Sequence, residues 1–257
     1  MEGPPLAMTK SLVFDIETVP DVDLITRAYG FSGSPQDVVD QYIEKLGCGG
    51  FIPATLQMPI AICTMPVNSQ GRQSGAMQNF ATSAGFWKQL SSSCPPARLV
   101  SYNGRRFDIP VLEMGAFRQC VPATQWFNPH GKSWEQSRNR YNINAHWDCM
   151  EFQTGFGAGP CNGGMHVLAI QCGVPGKIAC AGGDVWEMYL AGDLQAIIDY
   201  CFCDVITTYL IYIRQLVLCG DLGELDEIAI RNSVRARLAQ SDKVWCKRYI
   251  EEWDRLK

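Results

Sequence analysis

The chain has 257 residues, 47% of them hydrophobic and 19% charged, with a formal net charge of −4. That length holds one large α/β domain or two small ones, and the apolar fraction excludes a disordered chain. The acidic balance argues against a surface coated with Lys and Arg that grips nucleic acid indiscriminately.

Read in chain order, residues 11–14 form a short apolar run that ends in Asp15-Ile16-Glu17, the pattern of a central strand with acids at its end. Ser34-Pro35-Gln36-Asp37 predicts a helix start, with a capping Ser, Pro in first position and an acid in the first turn. Val38, Val39, Tyr42, Ile43 and Leu46 continue it at helical spacing, and Gly47 stops it. Strands are predicted over 60–67 and 98–102, and helices over 78–90 and 108–120, the latter with Val111, Leu112, Met114 and Phe117 facing inward. Residues 121–147 read as a loop in which aromatic and basic side chains alternate, followed by a Gly-rich stretch over 155–164. Further helices are predicted over 163–172 and 193–218, the last strongly apolar. Strands alternating with helices indicate an α/β fold. No apolar run of the ~18 residues that a membrane span requires is expected, since the best, 207–218, is interrupted by Arg214.

The twelve cysteines contain no Cys-x-x-Cys pair, and Cys201 with Cys203 is too tight for a zinc knuckle. Residues 1–10 lack the basic start and apolar run of a secretory signal. The expectation is a cytoplasmic protein with free, mostly buried thiols.

Three segments carry chemistry. In Phe14-Asp15-Ile16-Glu17-Thr18, the two acids stand at i and i+2 and share one strand face. Alone, the pair is explained equally well by an exposed strand end. In Ser101-Tyr102-Asn103-Gly104-Arg105-Arg106-Phe107-Asp108, a strand runs into a turn and an acid opens a helix; Asp108 as a helix cap is the competing reading. In Tyr200-Cys201-Phe202-Cys203-Asp204, the phenol and the acid are i and i+4 on one face of an apolar helix. A buried aspartate there needs a partner or a metal, and a satisfied Asp at a helix interface is the alternative. Together these segments supply four carboxylates and one phenol. Oxygen donors of this kind suit Mg²⁺ or Mn²⁺ rather than zinc. Two such ions about 4 Å apart stabilise in-line phosphoryl displacement.

The order Asp-x-Glu, Asn-x-x-x-Phe-Asp, Tyr-x-x-x-Asp resembles the three motifs of the DEDD 3′–5′ exonucleases, and the tyrosine marks the DEDDy branch. Spelling and spacing are most similar to the predicted exonucleases related to the proofreading domain of family B DNA polymerases. Asp15-Ile16-Glu17-Thr18-Val19-Pro20-Asp21, Gly173-Val174-Pro175-Gly176-Lys177 and Val185-Trp186-Glu187 add to the likeness, which extends over about 11–221. The resemblance implies a ribonuclease H-like fold, a mixed five-stranded sheet flanked by helices. It implies a domain over 11–221, with 222–257 a helical, basic extension packed on it. Carried over by residue, Asp15 would bridge two Mg²⁺ or Mn²⁺ ions, Glu17 and Asp204 would hold the first, and Asp108 would act on the second. Tyr200 would orient the attacking water, while Thr18, Asn103 and Phe107 would shape the site around the terminal nucleotide. The implied substrate is single-stranded nucleic acid, DNA favoured over RNA, with a polymerase or a repair or replication partner in trans. The same chemistry on RNA, and a nucleic-acid-binding partner with a vestigial site, are the alternatives; intact acids speak against the second.

The remaining features are weighed more plainly. His130, His146 and His166 lack metal-site spacing and read as surface or packed residues. Asp148 and Glu151 read as structural or supporting acids. The 121–147 loop reads equally as a base-stacking surface, through Trp126, Phe127, Trp134, Tyr141 and Trp147 with Lys132, Arg138 and Arg140, or as a satellite core. Six basic residues against one acid over 231–248 form a strip suited to phosphate or, as such runs usually are, a solvated helix face. P-loop, dinucleotide and nucleophile-elbow fingerprints are all missing.

Overall fold

The structure is a computed structural model and describes residues 10–46, 51–91, 98–178 and 184–256. Strand β1 (Ser11–Pro20) does not stop at its acids. Alternation carries it through them. Leu12, Phe14 and Ile16 enter one apolar core, while Val13 and Val19 enter the other. Asp21 ends the strand and caps α1 (Val22–Tyr29), accepting from Leu24 N at 2.9 Å. Helix α2 (Pro35–Leu46) starts as its sequence dictates: Ser34 Oγ accepts from Asp37 N, and Asp37 Oδ2 accepts from Ser34 N. Val38, Val39 and Tyr42 join Ile25 and Phe31 in a small satellite core. The predicted stop at Gly47 lies outside the described residues.

Strand β2 (Gln57–Val67) begins three residues earlier than predicted. The predicted helix over 78–90 is instead a short strand, β3 (Gln78–Phe80), followed by α3 (Ser83–Leu90). Edge pairing of 78–80 with β2 claims the first residues, and Thr82 caps the helix by accepting from Gly85 N. Strand β4 (Arg98–Ser101) leads into α4 (Asp108–Gln119). The inner face of α4 is Ile109, Val111, Leu112 and Ala116; Phe117, expected there, is 85% exposed. It lies one residue, about 100° of helix, beyond Ala116.

The predicted loop over 121–147 ends in a strand, β5 (His146–Asp148), with α5 (Cys149–Gln153), α6 (Gly164–Gln171) and α7 (Asp184–Leu190) following. Then come the long α8 (Leu194–Leu218), α9 (Glu224–Ala239) and α10 (Val244–Arg255). By length and composition α8 is apolar enough to cross a membrane, contrary to the sequence expectation; in the structure it is the core helix, with 83% of its apolar window buried.

The sheet order is β3-β2-β1-β4-β5. The β1–β2 and β2–β3 pairs are antiparallel, and β1–β4 and β4–β5 are parallel. Helices α3 and α4 cover one face around Phe14, Phe86, Trp87 and Leu112. Helix α8 covers the other, and Val234, Trp245, Tyr249 and Trp253 of α9 and α10 extend the same core outward. Full burial of each such side chain contributes roughly 1.5–3 kcal/mol. The described cysteines are free and mostly buried.

Candidate active site

The two faces of β1 explain why acids sit in its middle. Asp15 and Glu17 share the face that looks toward α8, beyond the apolar packing of Val13, and both are partly exposed. The pairing of β1 with β2 shifts register between Glu17 and Thr18, so Thr18 stands at an irregularity beside the acids.

A tight turn brings in the second segment. Asn103 has φ 61°, a left-handed conformation that Asn tolerates better than most residues. A Cβ on Gly104 would meet Ser101 Oγ at 2.3 Å, so only glycine fits. Buried Asp148 fastens the turn, accepting from Asn103 N at 2.9 Å and Arg105 N at 3.0 Å while also capping α5. This is the supporting role expected of it. Asp108 is the first residue of α4 rather than its cap: Phe107 occupies the cap position, and no side chain caps the helix. The Asp108 carboxylate is buried and faces the backbone N–H groups of its own residue and of Ile16 on β1. Phe107 is half-buried, 5.8 Å from the Phe51 ring, and Asn103 Oδ1 is buried without a hydrogen-bond partner.

Helix α8 supplies the third segment. Tyr200 and Asp204 are both buried, and neither the Tyr200 hydroxyl nor Asp204 Oδ1 has a hydrogen-bond partner. Cys201, three residues before Asp204, is an unforeseen member of the site. Candidate ligand atoms of Asp15, Glu17 and Cys201 all lie within 4.8 Å of one another. The thiol donates to the Asp15 main-chain oxygen at 3.3 Å. Burial pushes that thiol well above its ordinary range, so it stays protonated and is not a thiolate ligand. The donor set is therefore one of carboxylate oxygens.

Crowded carboxylates repel, and the electrostatics show it. Burial raises Asp15 well above the usual carboxylate range, and the charges of Asp108, Asp204 and Glu17 raise it further. Glu17 is raised by burial and Asp204, against the pull of Lys177. Asp108 is pushed up to about 7, chiefly by burial, with Asp148 and Asp204 adding to the rise. Asp204 is pushed up to about 6 by burial, against Lys177 and the nearby Tyr200 hydroxyl. Burial holds the Tyr200 phenol far above its ordinary value, with Asp204 and Glu17 contributing. Four carboxylates gathered within electrostatic reach of one another, with one Asp204 oxygen orphaned in the interior, are the surroundings that a hard divalent cation would relieve, so the residues fit Mg²⁺ or Mn²⁺. Lys177, exposed beside Glu17 and Asp204, is a cation of the site that sequence reasoning noticed only as part of a likeness.

Other candidates do not converge here. His130 and His166 are exposed, and buried His146 bonds Ser101 Oγ at 2.8 Å between Phe14 and Trp126. The 121–147 loop is largely spoken for by the protein itself. Trp126 and Trp147 are core, Arg138 pairs bidentately with Glu113, and Arg140 pairs with Glu151. Trp134 and Tyr141 alone among its tryptophans and tyrosines face solvent. In the basic strip, Arg231 pairs with Glu227 and Arg235 with Asp254, while Arg237, Lys247 and Arg248 are exposed.

Residues 49–253 match the family described as predicted 3′–5′ exonuclease related to the exonuclease domain of PolB. The match takes in Asp108, Tyr200 and Asp204 and begins after Asp15 and Glu17. No curated protein sequence matches. The family B DNA polymerase of the hyperthermophilic archaeon Pyrobaculum calidifontis superposes with a TM-score of 0.52 at 19% identity, over 84% of this chain and 25% of the polymerase. E. coli exonuclease I, in a complex with a dA16 oligonucleotide, gives a TM-score of 0.34 at 14% identity, over 80% of this chain and 43% of that one. The chain thus spans a quarter of the polymerase it resembles. Its fold is the ribonuclease H-like α/β type.

Proposed function

The chain belongs to the predicted 3′–5′ exonucleases related to the exonuclease domain of PolB, and on that footing we propose that it hydrolyses the phosphodiester bond at the 3′ end of single-stranded DNA, releasing nucleoside 5′-monophosphates. The observation that carries this reading is the close pair Asp15 and Glu17, with Asp108 and Asp204 brought from distant segments into electrostatic reach of it, beside the unpartnered Tyr200 hydroxyl. These four acids would hold two Mg²⁺ or Mn²⁺ ions. When bound, such ions stabilise the charge that builds on the attacking and leaving oxygens.

The chain's own groups do the rest. The Tyr200 phenol keeps its proton at neutral pH and orients the attacking water through its hydroxyl. Asn103 offers its orphaned side-chain oxygen, and Phe107 a ring face, to the terminal nucleotide, with Thr18 at the strand irregularity beside the acids. Lys177 supplies a positive charge near the phosphate path. The catalytic unit is taken as 11–221, with 222–257 an extension whose helices α9 and α10 pack against α8.

The test is digestion of matched 5′-labelled DNA and RNA oligonucleotides in Mg²⁺ or Mn²⁺. A ladder that shortens stepwise on DNA, slowed by a 3′-phosphate, is expected. Label released first as a mononucleotide would mean the opposite polarity and overturn the reading, and faster digestion of RNA would reassign the substrate.

A further inference from the structure

A cavity of about 340 Å³ opens between α7, α8 and α10, with Tyr200 in its wall, within the ~300–1,000 Å³ range of small-molecule sites. Its lining includes Met188, Asp199, Tyr200, Val244, Trp245 and Arg248. Two of these residues carry a buried donor with no acceptor. Trp245 is 7% exposed and its Nε1–H is unpartnered; Tyr200 is 6% exposed and its hydroxyl is likewise unpartnered. Buried polar groups in folded proteins are nearly always paired; the attacking water answers for Tyr200, and Trp245 Nε1 calls for a ligand atom in the cavity. Trp245 is itself held in place, stacked on Phe202 at 5.7 Å and 23°. Arg248 stands exposed at the rim with no ion pair among the described residues.

Resting on the nuclease reading above, we infer that this cavity takes one nucleobase of the substrate strand, and that the C-terminal extension thereby contributes directly to substrate recognition. The chemistry selects a base over a bare phosphate. The walls are mainly apolar and aromatic, the orphan donors are neutral, and Asp193 and Asp199 would repel an anion. A planar heterocycle offers what the walls ask for: a ring nitrogen or carbonyl for Trp245 Nε1, amino groups for Asp199, and a face for Arg248 to cover. Tyr200 belongs to both the cavity and the acid cluster, so the base would lie within a few nucleotides of the cleaved bond.

The test measures equilibrium binding of a 5′-fluorescein decamer of DNA to the full chain in EDTA, with an abasic site at each of the three terminal positions in turn. Cleavage of the same strands in Mn²⁺ is followed separately. Trp245→Phe removes the donor and keeps the stacking ring; Arg248→Gln is the second variant, on the surface, where folding is not at stake. In the wild type, one abasic position should weaken binding about tenfold, and that penalty should shrink to within about twofold in both variants. If no position shows a penalty, if the penalty persists in both variants, or if the decamer does not bind, the cavity assignment falls. Normal cleavage with no such penalty would overturn the pocket and leave the nuclease standing. The penalty pattern without cleavage would do the reverse.

Discussion

The Cys201 thiol of α8 donates to the main-chain oxygen of Asp15 at 3.3 Å and lies 3.6 Å from its Oδ2. This contact sets how closely the core helix approaches the strand that carries the acid pair. Cys201 is fully buried, and only a small, weakly polar group fits between helix and acid.

Cys201→Ser should therefore keep nuclease activity within a few-fold. Cys201→Leu should destabilise the fold by about 1–3 kcal/mol through overpacking and lower the cleavage rate by ~10²-fold or more as β1 and α8 part. Thermal unfolding and single-turnover cleavage of both variants check this; an active, stable Cys201→Leu variant would refute it.

Metal ligands and the water-orienting group separate by magnitude. Asp15→Asn and Asp204→Asn should each cost on the order of 10³-fold in rate, and Tyr200→Phe only ~10–10²-fold. Mn²⁺ affinity should drop for the Asp variants and hold for Tyr200→Phe. Near wild-type cleavage by either Asp variant would defeat the ligand assignment. Loss of Mn²⁺ binding by Tyr200→Phe as complete as that of Asp204→Asn would defeat the role given to the tyrosine.

Without metal, the acid cluster should be a pH-dependent liability. Asp108 stands at about 7 in the fold against an ordinary 3.8, so the folded state binds its proton more tightly than the unfolded chain does. That contribution to stability is complete below pH 3.8 and is lost as pH rises through 7. Asp108→Asn mimics the protonated form. In EDTA it should match the wild type at pH 4 and exceed its Tm by about 5 °C or more at pH 8. Mn²⁺ at pH 8 should raise the wild-type Tm and narrow that gap. A gap that does not grow with pH would contradict the assigned ionisation.

Asp148 touches no other acid of the site by hydrogen bond, yet it holds the turn from which Asp108 extends. Asp148→Ala orphans the N–H groups of Asn103 and Arg105 and uncaps α5, a loss of about 3 kcal/mol. Cleavage should fall with it, and Asp148→Asn, which keeps one acceptor oxygen, should lie between. Chemical denaturation read beside single-turnover rates tests this. A wild-type midpoint for Asp148→Ala would show that the turn holds without it.

Much of this molecule was legible before any coordinate. The alternation of Phe14-Asp15-Ile16-Glu17 puts both acids on one face, Tyr200 and Asp204 share a helix face by spacing, and Ser34-Pro35 announces a helix; each is a local rule of geometry that neighbours did not override. Where local rules competed with pairing, the tertiary structure decided. Residues 78–80 became an edge strand because β2 offered hydrogen bonds, and α4 turned Phe117 to solvent because Ile109, Leu112 and Ala116 met the sheet first. Residues 207–218 looked too short to span a membrane, whereas burial within the core sustains a far longer apolar helix. Arg138, Arg140, Arg231 and Arg235 read in sequence either as cations for phosphate or as packed and solvated side chains, and fold-specific carboxylates engage them. The depth at which Asp108 is buried, the thiol wedged against Asp15, the Lys177 charge and the unsatisfied Trp245 donor are likewise products of long-range packing. A residue's type limits what it can bond to, but which partners reach it depends on segments far away in the chain.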